Sequence, residues 1–178
     1  MKLKLGVLTL VLAALPLAAS NVATATVTTT LLGPINVAVT QQPTFGNIVL
    51  VDAALGGTVT VAAKGTATVD GGGGLALAGN SLAKPLLLSI TPAANVAYGV
   101  TFDSNIQMTG PGAATIDVTI TEVKQNGQAL PFSGDAGYTG ITDGSGTTPV
   151  AVGASMAVAP NQPLGSYSGT FNVTVAYQ

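Results

Sequence analysis

The chain predicts an all-β protein, a β-sandwich with immunoglobulin-like packing. Three observations lead there. Apolar and polar residues alternate with period two in run after run, and no segment after residue 25 carries a helical period. The runs are short and punctuated by turn residues: GPG at 110–112, NG at 126–127, DGSG at 143–146 and PNQP at 160–163. Val and Thr dominate the runs, and both are stiff at the first side-chain torsion and suit a pleated, half-buried surface. Many short strands in one exported domain make a sandwich the expected architecture.

Export is read from the first residues, MKLKLGVLTLVLAALPLAASNVATA. Lys2 and Lys4 form a short positive region, and residues 5–15 form an apolar run below the roughly 20 residues that span a bilayer. Small residues follow, as in a secretory signal peptide, with Ala18-Ala19-Ser20 favoured over Ala23-Thr24-Ala25 as the cleavage site. Residues 1–20 are therefore expected to be removed. The alternative, a membrane anchor, is disfavoured by the length of the run. No Cys follows it, which excludes a lipid anchor there. The rest, roughly 158 residues, suits one domain with one core.

Next comes an alternation longer than one sandwich strand needs: Ala23, Ala25, Val27, Thr29, Leu31, Gly33, Ile35, Val37, Val39. Pro34 interrupts it. Two strands in tandem are expected, with 35–40 as the first strand of a domain spanning 34–178 and 21–33 as an additional extended segment. The competing reading of 21–33 is an unstructured linker.

The body follows in order. TVTVAAKGTATV at 58–69 places Val59, Val61, Ala63, Gly65, Ala67 and Val69 on one face and Thr58, Thr60, Lys64, Thr66 and Thr68 on the other, until GGGG at 71–74 breaks the run. LLLSI at 86–90 reads as a more buried strand. VAYGVTF follows with Val96, Tyr98, Val100 and Phe102 in phase. ATIDVTITEV turns Ala114, Ile116, Val118 and Ile120 inward, and VAVGASMAV does so with Val150, Val152, Ala154, Met156 and Val158. The last stretch, GSYSGTFNVTVAYQ, runs Gly165, Tyr167, Gly169, Phe171, Val173, Val175, Tyr177 on one face and small or polar residues on the other. It is the most strongly patterned strand of the chain.

Composition narrows the function classes. The chain has no Cys, His or Trp, and its five basic residues are all Lys, of which Lys64, Lys84 and Lys124 are scattered through the body. A nucleic-acid surface needs clustered basic residues, so that class is set aside. Catalysis would have to rest on Asp52, Asp70, Asp103, Asp117, Glu122, Asp135 and Asp143. A glycosidase needs two facing carboxyls. Asp117 lies on an outward phase, and Asp70 and Asp143 sit beside Gly in turns. The chain is therefore expected not to be an enzyme. DGSG lacks the further oxygen ligands of a calcium loop, so no metal and no cofactor is expected. A sugar platform usually exposes aromatic rings; here Phe and Tyr fit strands and flanking turns, with Tyr138 as the exception in a Gly-rich loop. Charged residues are 7%, against roughly a quarter in an average domain, and a nearly neutral surface favours association.

The last stretch resembles the C-terminal strand of subunits of chaperone–usher pili. Tyr177 is penultimate, Gly165 is fourteenth from the end, and alternating apolar residues lie between. FG at 45–46, GGTVTV at 56–61 and GSYSGTF at 165–171 also look like a family of exported bacterial domains of unknown function. The resemblance implies a pilin-type sandwich that lacks its final strand and is completed by a donor strand. The groove would be lined by Gly165, Tyr167, Phe171, Val173, Val175 and Tyr177. A periplasmic chaperone would lend a strand first, and the N-terminal extension of the next subunit would replace it, with an outer-membrane usher as a further partner during assembly. The donor side chains would be Ala23, Ala25, Val27, Thr29 and Leu31. The product would be a homopolymer of identical subunits, exported through the periplasm to the cell surface. The chain departs from many such subunits in having no disulfide near the start of the domain. That leaves open a second reading, a non-polymerising secreted surface or biofilm-matrix sandwich.

Overall fold

The computed structural model describes residues 26, 28–79, 82–91, 95–144 and 146–178. The chain divides into two compact units, Met1–Leu31 and Leu32–Gln178. In the first, the expected signal peptide and three of the donor positions, Ala23, Ala25 and Val27, lie outside the described residues. Its described residues, Thr26 and 28–31, are exposed and belong to no strand.

The second unit is an all-β sandwich. Its strands are β1 (Asn36–Gln41), β2 (Ile48–Leu50), β3 (Gly57–Val61), β4 (Ala67–Asp70), β5 (Leu75–Leu77), β6 (Leu86–Thr91), β7 (Ala97–Phe102), β8 (Ile106–Thr109), β9 (Thr115–Gln125), β10 (Gln128–Ala129), β11 (Tyr138–Ile141), β12 (Thr148–Val158) and β13 (Val173–Tyr177). Every pairing among them is antiparallel.

The large sheet is organised by its two 11-residue strands, β9 and β12, which pair along most of their length. β12 uses its other side twice: Thr148–Val152 pairs with β6, and Ala154–Val158 pairs with β3. β1 continues from β6 and β4 from β3. Beyond β9 lie β8 toward one end and β10 toward the other. Two smaller sheets cover the inner face, β11-β7-β13 over one half and β2-β5 over the other. The core follows that division. Leu86, Leu88, Ile90, Tyr98, Val100, Val123, Val150 and Val152 form one cluster. Val59, Leu75, Ile116 and Met156 form the other. Inward phases expected for 96–102 and 150–158 are the observed ones, and 86–90 is the more buried strand expected.

Three expectations are corrected. Residues 58–69 are a hairpin of β3 and β4, not one strand. The turn is made at Gly65, whose φ of 88° favours glycine, and the Gly65 N–H donates to the Ala62 carbonyl at 2.8 Å. Val59 faces Val69 and Val61 faces Ala67, so inward residues are odd-numbered on both strands and the turn leaves the alternation in phase. Tyr138 begins strand β11 rather than sitting in a loop, because its backbone pairs with Val100 and its ring meets Phe102 and Phe132. The last stretch is regular strand only from Val173; before it, Ser168 bridges Thr109 of β8 while 169–172 passes between sheets.

A candidate functional site between the first and last strands

The site begins with a mismatch on β1. Val37 lies opposite Ile90 and Val39 opposite Leu88, so both share the core face of the large sheet. Ile90 and Leu88 are 0% and 1% exposed, yet Val37 is 39% and Val39 48% exposed. The difference is cover. The three-stranded sheet ends at β13, and Val37 and Val39 are only partly covered.

Among the described residues β13 pairs with one strand, β7. The Asp103 N–H donates to the Asn172 carbonyl, and the Gln178 N–H to the Ala97 carbonyl. These two pairs lie in the same register as β13–β7, six residues apart, so the even-numbered residues 174 and 176 hydrogen-bond to β7. The N–H and C=O groups of Val173 and Val175 then point to the open side. Ser168 exchanges both its backbone bonds with Thr109, which continues the same even phase. An unpaired edge of this kind is a template for another strand.

Side chains on that edge keep the expected phase. Phe171, Val173, Val175 and Tyr177 are half-buried, and Asn172, Thr174 and Ala176 are exposed. Phe171, Val173 and Val175 pack against the first core cluster, as does Ile35 just before β1. The Tyr177 hydroxyl donates to the Gly33 carbonyl at 3.1 Å and ties the end of β13 to the chain entering β1. Phe171 continues a row of aromatic contacts across the sheet, with Phe102 at 6.4 Å, then Tyr138, then Phe132.

Past Phe171 the open side deepens into two cavities. One, of about 240 Å³, lies between Pro43–Phe45 and Gly169–Phe171, floored by Leu86, Ile120 and Val152. The other, of about 360 Å³, lies between Thr44–Leu50 and Gln162–Tyr167, floored by Leu75, Ile116, Met156 and Val158. Phe45, Met108 and Tyr167 border both and form the constriction between them. Tyr167 is held there by its hydroxyl, which donates to the Pro163 carbonyl at 2.7 Å and accepts from Gln162 Nε2 at 3.0 Å. Gly110 presses against the face of that ring, with no room for a Cβ. Gly165 lines the larger cavity and Gly169 the smaller. Both also answer to their own chain. A Cβ on Gly165, whose φ is 149°, would meet Pro111, and one on Gly169 would meet the Gln107 carbonyl.

Of the six groove positions expected from sequence, Val173, Val175 and Tyr177 lie on β13 with Phe171 just before it, and Gly165 and Tyr167 line the cavities ahead of the strand, where Pro43 and Phe45 stand across from them. The alternation through Val37 and Val39 was legible. Their exposure was not, since it depends on where the second sheet stops. Of the donor positions, Thr29 and Leu31 are described and exposed, Leu31 by 92%.

The carboxylates are dispersed and serve local structure. Asp52 accepts from the Ala54 N–H, Asp117 from Gln107 Nε2 at 2.6 Å, and Asp103 from the Asn172 N–H and side chain. Glu122 pairs with Lys124 at 2.7 Å and accepts from the Ala63 N–H. The Lys124 hydrogen bond, aided by that N–H, holds its carboxyl below its ordinary range. Burial, with Asp143 nearby, pushes the Tyr98 phenol up to about 12, and its hydroxyl donates to Gln125 Oε1 at 2.9 Å. Among the described residues no three His, Cys, Asp or Glu side chains are grouped to hold a metal ion.

A family model described as a domain of unknown function, DUF4402, matches residues 35–177. No curated protein matches the chain, and no solved structure does.

Proposed function

The chain belongs to the DUF4402 family of domains of unknown function, and we propose that it is the structural subunit of a bacterial surface fibre, assembled by strand addition. In this reading the domain is a pilin-type, immunoglobulin-like sandwich one strand short. The segment 21–33 of a neighbouring copy covers the edge formed by 165–177. A periplasmic chaperone fills that edge during export, and an outer-membrane usher hands it on. The subunit is a building unit and not a catalyst, and needs no cofactor.

One observation carries the reading: Val37 and Val39 face the core side of their sheet and remain about half exposed, and the backbone groups of Val173 and Val175 on β13 turn away from β7. A strand added to β13 would cover both. Backbone bonds to Val173 and Val175 would give affinity, and alternate side chains entering the open side would give selectivity. Full burial of a Val or Leu side chain stabilises by roughly 1.5 to 3 kcal/mol. A few such residues do not make a fibre permanent by contact energy alone, so slow strand exchange would hold it together.

The test is deletion of residues 21–33 behind the signal peptide, in cells carrying the secretion machinery. The reading expects exported subunit and no fibres by electron microscopy. Fibres of normal length would refute it and favour a non-polymerising or differently assembled surface protein.

A further inference from the structure

The open side is not uniform, and its pattern of bulk specifies what can fill it. Along the free edge the residues that share the inward phase alternate in size: Gly165, Tyr167, Gly169, Phe171, Val173. The two glycines lie at the two cavities, and the Tyr167 ring occupies the constriction between them. A complementary strand must therefore place large side chains opposite 165 and 169 and small ones opposite 167, 171 and 173. Large positions four residues apart, with a small one between, is a restrictive pattern.

The segment 21–33 carries it. Its inward phase reads Ala23, Ala25, Val27, Thr29, Leu31, with the two larger apolar side chains, Val27 and Leu31, four apart. We infer that a second copy of this chain docks in one antiparallel register, with Leu31 opposite Gly165, Thr29 opposite Tyr167, Val27 opposite Gly169, Ala25 opposite Phe171 and Ala23 opposite Val173. This rests on the strand-addition reading and names the register and the specificity-determining residues, Leu31 and Val27. The larger side chain meets the cavity of about 360 Å³ and the smaller meets that of about 240 Å³. Gly33-Pro34 ends the segment just past its last pair. A slip of two residues sets Leu31 on Tyr167 and Val27 on Phe171, bulk against bulk. A parallel strand with the same match would set Ala25 at Pro163 and Ala23 beyond it, and would leave Val173–Tyr177 uncovered. Among the described strands every pairing is also antiparallel.

The outward phase allows a test that leaves the core untouched. The register sets Thr28 directly opposite Ser168, and both are exposed. Ser168 bonds to β8, so toward a donor strand it would form a non-hydrogen-bonded pair, in which Cα atoms lie about 4.5 Å apart, within disulfide range. The chain has no Cys to interfere. Full chains carrying Thr28→Cys are co-expressed, in cells with the assembly machinery, with chains carrying Ser166→Cys, Ser168→Cys or Thr170→Cys, and surface material is run on non-reducing gels. The inference expects a cross-linked heterodimer with Ser168→Cys, at most a trace with the other two, and normal fibres from each single variant. Preferential cross-linking to position 166 or 170 would overturn the register and leave strand addition standing. Cross-linking to none of the three, with all variants exported, would overturn the register and count against strand addition as well.

Discussion

Thr174 and Val175 are neighbours on β13 with opposite duties. Thr174 is exposed, and Val175 packs against Val100 and the first core cluster. Val175→Asn sets an amide against apolar neighbours and should destabilise the domain by about 1 to 3 kcal/mol. Thr174→Asn should stay within about 0.5 kcal/mol. Urea unfolding of the two variants reads the difference, and equal losses would mean the strand is not oriented as described. Period-two alternation made this orientation legible from the sequence. Two titrating groups give a second check. The Glu122 carboxyl is held low by Lys124, so its stabilisation is present above the ordinary carboxylate value and is lost as pH falls from about 4.5 through the folded value. Glu122→Gln should flatten that acid slope. The Tyr98 phenol is pushed up to about 12, so its contribution holds below about pH 10 and is lost as pH rises toward 12. Tyr98→Phe should remove the alkaline loss, at a cost of about 1 kcal/mol near neutrality from the hydrogen bond to Gln125. Unfolding midpoints measured across pH test both. The Gln125 partnership was not legible in advance, because it joins β7 to β9 across the sandwich.

At the level of elements, the sequence displays phase better than pairing. The β3–β4 turn escaped notice because cross-strand partners share parity, so a hairpin and a continuous strand present the same alternation. β9 shows the reverse. Gly153 faces Glu122 while Ala154 faces Ile120, so Thr121 is an extra residue, and the buried positions shift from Ile116 to Val123. Alternation expected to continue unbroken along β9 does not show the extra residue, which appears only in the pairing with β12. β1 supplies the third case, since its inner face reads as core but is only partly covered. Val39→Thr should therefore change the unfolding free energy of the unassembled chain by no more than about 0.5 kcal/mol. Val59→Thr, at a fully buried site, should cost more than about 1 kcal/mol. If β1 is a wall of the docking groove, Val39→Thr should nevertheless reduce fibre yield. A large monomer penalty with unchanged assembly would show that β1 belongs to a closed core.

For the whole molecule, the fold class was legible because short alternating runs and turn residues extend over most of the chain. How far the core face of β1 is covered was not, because that depends on the second sheet and not on the alternation within β1. The central claim is that β13 gains a backbone partner on assembly. Amide hydrogen exchange reads this directly, residue by residue, in the mature chain held as monomer and in assembled fibres. Thr174 and Ala176 bond to β7, so their amides should be protected in both states. Those of Val173 and Val175 should exchange freely in the monomer and become protected in the fibre. Protection of Val173 and Val175 already in the monomer, or continued exchange in the fibre, would contradict the account.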